Sequence, residues 1–121
     1  MTTTWYRVQD ATRTLTDLLD PELQVSHSWT PGGDEDDAET NRRGVSVCDS
    51  IENLVLYLAG PGEGIGYGDG WVIVELTGDL SEDEPLDPGE HLVHPDAIVS
   101  VRPMDDEFFN LIGAAYDALH E

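Results

Sequence analysis

The fold that we predict for this chain is decided by residues 44–57, which read GVSVCDSIENLVLY. Residues 45–47 form a short β-branched run that is typical of a strand. Asp49 and Ser50 follow, and both residue types cap helices. Apolar residues then recur at helical spacing over residues 51–58. The stretch therefore predicts a strand, a tight turn and a helix.

Further strands are predicted on both sides of this unit. Residues 71–76 are the strongest strand candidate and are expected to be central in the sheet. Aromatic and β-branched residues at 5–8 predict a first strand. Residues 90–93 and 97–102 predict two more segments, which we expect Pro95 to separate.

Two further helices are predicted. Asp10 is a candidate N-cap for a short amphipathic helix that ends before Pro21. The chain closes with a second helix, whose first turn carries three acidic residues. Its apolar face consists of Phe108, Leu111, Ile112, Ala115 and Leu119.

These elements predict one α+β domain. The 121 residues suffice for a single core. We expect residues 1–121 to form a mostly antiparallel mixed sheet with three peripheral helices. Acidic stretches near 30–43 and 78–89 lack an apolar stripe, so they are predicted to be mobile loops.

The charge of the chain limits its partners. A net charge of −21 results from 26 acidic residues against 5 arginines, with no lysine. This charge repels nucleic-acid backbones and would suit a basic partner protein. An acidic, lysine-free composition can also reflect only the host organism.

The composition also predicts a cytoplasmic protein that does not associate with membranes. Cys48 is the only cysteine, so the chain cannot form an internal disulfide. The longest apolar run, residues 54–59, is far shorter than the ~20 residues needed to span a bilayer. The first residues contain neither a basic region nor an apolar signal core.

The stretch at 44–57 resembles the central strand and helix of the ADP-ribosyltransferase superfamily. Gly44, the strand that follows it, Asp49 and Tyr57 fall at the spacing found in the poly(ADP-ribose) polymerase-like members. Ser46 stands where that branch has a tyrosine, and it looks like the serine of the Arg-Ser-Glu class. The resemblance implies an NAD-binding protein that transfers ADP-ribose to an unknown acceptor.

The resemblance also assigns roles to residues elsewhere in the chain. Tyr6 and Arg7 match the first-strand position that meets the NAD diphosphate or ribose. The stretch that begins at Glu90 resembles the strand that starts with the catalytic glutamate. Glu90 and Ser46 are therefore the candidate catalytic residues, and Arg7, Tyr57 and Tyr6 the candidate cofactor-binding residues.

The chemistry of these residue types agrees with such roles. Cleavage of the glycosidic bond of NAD leaves a positively charged ribosyl carbon, which the carboxylate of Glu90 could stabilise. The guanidinium of Arg7 is a planar donor suited to a diphosphate. The ring of Tyr57 could pack against nicotinamide.

The chain departs from the family pattern at two places. Pro88 stands where toxin-like members have Glu or Gln, and Val47 and Cys48 replace part of a Ser-Thr-Ser motif. A degenerate, non-catalytic member is therefore an alternative. A second alternative is an acidic binding protein, either a nucleic-acid mimic or an inhibitor of a basic partner, of phage or defence-related origin. No metal site is predicted, because His91 and His94 lie three apart on a strand and face opposite sides.

Overall fold

The computed structural model describes residues 4–25, 43–60, 70–84 and 89–119. These residues form four strands, two α-helices and two short 3₁₀ helices. The strands are β1 (Thr4–Asp10), β2 (Val45–Val47), β3 (Trp71–Leu80) and β4 (His91–Pro103). The α-helices are α1 (Ile51–Ala59) and α2 (Asp106–Leu119), and the 3₁₀ helices are Leu15–Leu19 and Pro21–Leu23.

The strands form one antiparallel sheet in the order β1-β3-β4-β2. The two outer strands of this order also meet each other. Tyr6 of β1 and Cys48, just after β2, exchange two backbone hydrogen bonds of 2.8 Å. The sheet therefore closes on itself at this point, and β1 and β2 are joined there.

One face of the closing sheet carries a set of buried apolar side chains that we call the inner cluster. Every strand contributes to it, and Leu18 of the first 3₁₀ helix packs against them with 0% of its surface exposed. The Trp5 indole Nε1 donates a hydrogen bond of 3.1 Å to the Gly78 carbonyl. The members are Trp5, Leu18, Val45, Val47, Val74, Leu76 and Val93.

A second buried set lies between the sheet and the two α-helices, and we call it the helix-side cluster. Val8 and Ile73 alternate along β1 and β3 with members of the inner cluster, so they point to the opposite face. The helices cover them with Leu54, Val55, Leu58, Ala59, Phe108 and Ile112. Neighbouring buried residues of one strand, such as Ile73 and Val74, thus belong to different cores.

The predicted strand, turn and helix at residues 44–57 are confirmed. Ser50 is the N-cap of α1, and its hydroxyl oxygen accepts a hydrogen bond of 3.1 Å from the Asn53 amide. Before α2, the Asp105 carboxylate accepts a bond of 2.9 Å from the Phe108 amide. The predicted central strand is confirmed as well, and it extends beyond Leu76 to Leu80.

The predicted fold class is wrong in its helix count. The chain is α+β, but its described residues contain two α-helices and not three, and their sheet pairings are all antiparallel. Asp10 does not cap a helix, because its carboxylate accepts bonds from the Thr12 amide and hydroxyl in a turn after β1. The turn after Asp10 occupies the start of the predicted helix, and before Pro21 the chain forms only the five-residue 3₁₀ helix Leu15–Leu19.

β4 runs through Pro95 without the predicted interruption. β2 pairs only with the first three residues of β4, from His91 to Val93, so β4 has no β2 partner at Pro95. On its other side Pro95 lies opposite Gly78, where the register between β3 and β4 shifts. Proline is tolerated at such positions because no ladder hydrogen bond is lost.

The predicted acidic loops can be located only in part. The loop near 30–43 lies outside the described residues except for Arg43. In the loop near 78–89, residues 78–80 belong to the end of β3, and residues 85–88 lie outside the described part of the chain.

Candidate functional site

Arg7 lies where the sheet closes, and we call its surroundings the Arg7 junction. Its Nη1 donates a hydrogen bond of 2.9 Å to the carbonyl oxygen of Ser46 on β2. The neighbouring Tyr6 makes the two backbone bonds to Cys48. Arg7 thus adds a side-chain bond to the short contact between β1 and β2.

Burial of the Arg7 guanidinium, followed by the nearby charge of Arg13, lowers the pKa of Arg7 to about 10. Tyr57, Cys48 and Glu90 act in the opposite direction and raise the pKa in part. Arg7 therefore stays protonated at neutral pH. All three groups lie near Arg7, so the junction gathers residues from β1, β2, α1 and the position just before β4.

Cys48 belongs to the same junction but is not prepared for nucleophilic chemistry. The thiol is buried in the helix-side cluster. Burial, with smaller contributions from Asp49 and Glu90, raises its pKa to about 12, and Arg7 offsets only part of this rise. A thiol with such a pKa is protonated at neutral pH and hardly reactive.

The residues predicted from the family resemblance come together only in part. Arg7 contacts Ser46 through the serine carbonyl. The Ser46 side chain faces away from the inner cluster, because Val45 and Val47 on either side of it point inward. Tyr57 and Tyr6 pack at the edge of the helix-side cluster. Glu90, partly buried just before β4, acts electrostatically on Arg7.

Asp49 and His91, which lie side by side, are not among the site residues predicted from the sequence. The His91 imidazole Nε2 lies 3.9 Å from the Asp49 carboxylate. Its ring centroid lies 5.2 Å from that of Trp5, at an interplanar angle of 46°. Asp49 also accepts a bond from the Asn53 side chain. The only local signal was the position of Asp49, which directly precedes the helix cap.

The outer surface carries mainly negative charge. Of the described arginines, Arg43 and Arg102 are exposed, whereas Arg7 and Arg13 are partly buried. Exposed carboxylates occur in the 3₁₀ region, at the end of β3 and after it, in β4 and on both α-helices. Among them are Asp20, Glu22, Glu52, Asp79, Glu82, Asp83, Glu84, Asp96, Asp106, Glu107 and Asp117.

No protein-family model, curated protein or solved structure matches the chain. Neither described helix is long and apolar enough to cross a lipid bilayer. Within residues 4–25, 43–60, 70–84 and 89–119, no group of three or more His, Cys, Asp or Glu side chains is placed to hold a metal ion.

Proposed function

We propose that this chain is an acidic, non-catalytic binding protein for a basic partner protein. The observation that carries the proposal is the distribution of charge. Carboxylates are exposed on most described elements, whereas Arg43 and Arg102 are the exposed cations in the described ranges. In the part of the chain that the structure describes, the acidic side chains are therefore mostly exposed to solvent.

A surface of one sign acts on partners before contact. It raises the association rate of oppositely charged proteins and rejects like-charged ones. Nucleic acid is repelled, because its phosphates and the carboxylates carry the same charge. A basic nucleic-acid-binding protein is attracted, and this chain would then occupy its nucleic-acid site as a mimic.

The proposal is tested by identifying the partner and by measuring the stoichiometry and affinity of its complex with the chain. The immobilised chain is used to capture proteins at low salt from an extract of its source organism. Each captured protein is then purified and titrated against the chain by calorimetry. The proposal expects a basic protein that forms a complex of fixed stoichiometry. It fails if no purified basic protein binds, or if the one stoichiometric partner is acidic.

A second candidate function is NAD binding with transfer of ADP-ribose, as the family resemblance implies. One observation favours it: Arg7, the Ser46 backbone, Tyr57 and Glu90 belong to one junction. In this function Arg7 would bind the diphosphate and Glu90 would stabilise the ribosyl cation. Against it, Arg7 already donates to the Ser46 carbonyl, and the Ser46 side chain lies on the other face of its strand.

NAD titration by calorimetry and NAD consumption separate the two candidates. If Glu90 is catalytic, Glu90→Gln lowers the rate of NAD consumption by about 100-fold, because the carboxylate charge is lost while the shape is kept. Glu84→Gln, at an exposed acidic position, is the matched control. Absence of NAD binding to the unaltered chain would remove this candidate.

A further inference from the structure

One backbone edge of β4 is open over most of the strand. β3 pairs with β4 from Val93 to Pro103, whereas β2 pairs with it only from His91 to Val93. In the described parts of the chain, no other strand or isolated bridge lies along the β2 side of β4 after Val93. We call residues 96–103, which read DAIVSVRP, the open edge.

A proline limits the open edge at each end. The Pro95 carbonyl accepts a hydrogen bond of 2.9 Å from the Gln24 side chain, so it is already occupied. Pro103 has no N–H group to donate to a neighbouring strand. Between the two prolines, the N–H and C=O groups that point away from β3 form a short template for one more strand. The natural occupant of this edge is therefore an extended segment.

The open edge lacks the excess of acids that marks the chain as a whole. It contains one acid, Asp96, and one base, Arg102, both exposed, so its formal charge is zero in a chain of −21. Val99 and Val101 are 56% and 41% exposed. Edge strands are normally protected from pairing by an excess of charged side chains, and apolar exposed positions favour pairing.

The two charged side chains of the open edge project from the same face of the sheet. Arg102 lies opposite Ile73 in the β3–β4 ladder. Asp96 accepts a hydrogen bond from the Thr77 hydroxyl. Ile73 and Thr77 are four residues apart on β3, so they share a face, and Arg102 and Asp96 share it with them.

The open edge is complementary to itself. Asp96 and Arg102 each lie three residues from Val99 along the chain. When two copies of the edge run antiparallel about Val99, Asp96 of each copy is therefore brought to Arg102 of the other. Opposite charges that meet across a strand pair stabilise it, and like charges destabilise it.

We propose that the open edge pairs with the open edge of a second copy of the chain, so that the sheet continues across a symmetric dimer. Pairing of one surface with itself about a two-fold axis is closed and ends at two copies. The net charge opposes association, but charges farther apart than ~8 Å are largely screened at physiological ionic strength, whereas the paired side chains are in contact. This inference goes beyond the proposed function and does not depend on it.

Self-association of the purified chain tests the inference. Sedimentation equilibrium is measured at about 150 mM NaCl and at chain concentrations up to about 1 mM. Amide hydrogen exchange is followed by NMR at low and high chain concentration. We expect a monomer–dimer equilibrium, and we expect the outward amides of residues 97–102 to exchange several-fold more slowly in the concentrated sample. Amides of β1 that are paired with β3 in each copy should change much less.

Exchange of the two charges tests the pairing geometry. Asp96→Arg or Arg102→Asp alone brings like charges together at both ends of the strand pair, so each should weaken dimerisation by about tenfold. The double variant Asp96→Arg/Arg102→Asp restores opposite charges and should dimerise to within about threefold of the unaltered chain. The double variant also lacks the bond from Thr77 to Asp96, so its recovery would show that the single variants fail through charge and not through folding.

Asp117→Arg is the matched control, because Asp117 is exposed on α2 and lies outside the open edge. It changes the net charge by the same amount as Asp96→Arg. If association depended only on net charge, both variants would dimerise more tightly. The inference expects a loss for Asp96→Arg and no loss for Asp117→Arg.

The other outcomes overturn the inference and leave the proposed function untouched, because no partner protein enters the measurement. A chain that stays monomeric at about 1 mM would contradict the dimer. A dimer that is insensitive to the charge variants, or that leaves the amides of residues 97–102 unprotected, would assign the interface to another surface. Species that grow beyond two copies would contradict the closed pair. If the chain alone stays monomeric and a synthetic peptide of alternating valine and lysine protects these amides, the edge binds a basic strand and not a second copy.

Discussion

The inner cluster and the exposed leucines of the α-helices, Leu56, Leu111 and Leu119, are all apolar but differ in what covers them. Leu18 has 0% of its surface exposed, whereas Leu111 has 48% exposed. All four strands of the sheet contribute residues to the inner cluster and help to bury it. The three helix leucines are 48% to 56% exposed. The chain itself buries the first set of residues and leaves the second largely open to solvent.

The same contrast holds for polar groups. At the Arg7 junction, the guanidinium donates to the Ser46 carbonyl of the same chain. On α1 and α2, Glu52 and Glu107 are exposed to solvent. Polar contacts at the junction thus hold two strands together, whereas these carboxylates lie at the surface.

The largest expected difference between the two regions comes from one substitution made in both. Leu18→Ala should lower the free energy of unfolding by about 2–5 kcal/mol, because it leaves a cavity in a closed core. Leu111→Ala should change it by less than about 1 kcal/mol. Urea unfolding of both variants measures the two values. Equal losses would mean that Leu111 is as important to the fold as Leu18.

Substitution of two glycines by alanine should change the stability of the chain in opposite directions. A Cβ on Gly78 would collide with the backbone of His94 and Pro95, so Gly78→Ala should cost roughly 1–3 kcal/mol. Gly113 on the exposed side of α2 has no atom within 4 Å of the same added Cβ. Gly113→Ala should therefore stabilise the chain by about 0.5–1 kcal/mol. Thermal unfolding of both variants measures the signs, and a stabilising Gly78→Ala would contradict the close strand packing.

A smaller effect is expected at the Arg7 junction. Arg7→Met removes a charged hydrogen bond to the Ser46 carbonyl but also the cost of burying the charge, so the net loss should be about 1.5 kcal/mol. Arg102→Met, at an exposed position on β4, is the control and should change stability by less than about 0.5 kcal/mol. Chemical unfolding measures both. If Arg7→Met were neutral, the junction would not contribute to closing the sheet.

The smallest expected effect is the pH dependence caused by Cys48. Its folded pKa of about 12 lies above its ordinary 9.0, so its contribution to stability is present below pH 9 and is lost as the pH rises toward 12. From pH 8 to pH 10 the loss should be about 1 kcal/mol. Cys48→Ala should remove most of this loss, and urea unfolding of both proteins at pH 8 and pH 10 measures the difference.

Thiol labelling gives an independent check on Cys48. At pH 8 the folded chain should react with a disulfide reagent at least about 100-fold more slowly than the urea-unfolded chain. Equal rates would contradict the burial of this thiol.

The parts of the fold that sequence reasoning predicted depend on local signals. Ser50 caps α1 as expected, and residues 71–76, with the β-branched run at 72–74, belong to a central strand. The closure between Tyr6 and Cys48 joins residues far apart in the chain, and nothing local marks it. Asp10 has the composition of a helix cap, but its bonds to Thr12 form a turn.

The candidate sites were harder to predict, because exposure depends on tertiary packing. Leu111 and Leu119 match the apolar stripe of Phe108 and Ile112, so periodicity places all four in the core. In the structure only Phe108 and Ile112 are buried. Likewise, the order of Arg7, Ser46 and Glu90 along the chain does not reveal that Arg7 contacts the serine through its backbone.

The central claim is that surface carboxylates recruit a basic partner, and the association rate constant of the purified pair tests it most directly. Stopped-flow measurements at about 50 mM and about 500 mM NaCl compare weak and strong screening. We expect the association rate constant to fall at least about tenfold at high salt, with a much smaller change in the dissociation rate constant. An association rate constant that is independent of salt would contradict the claim.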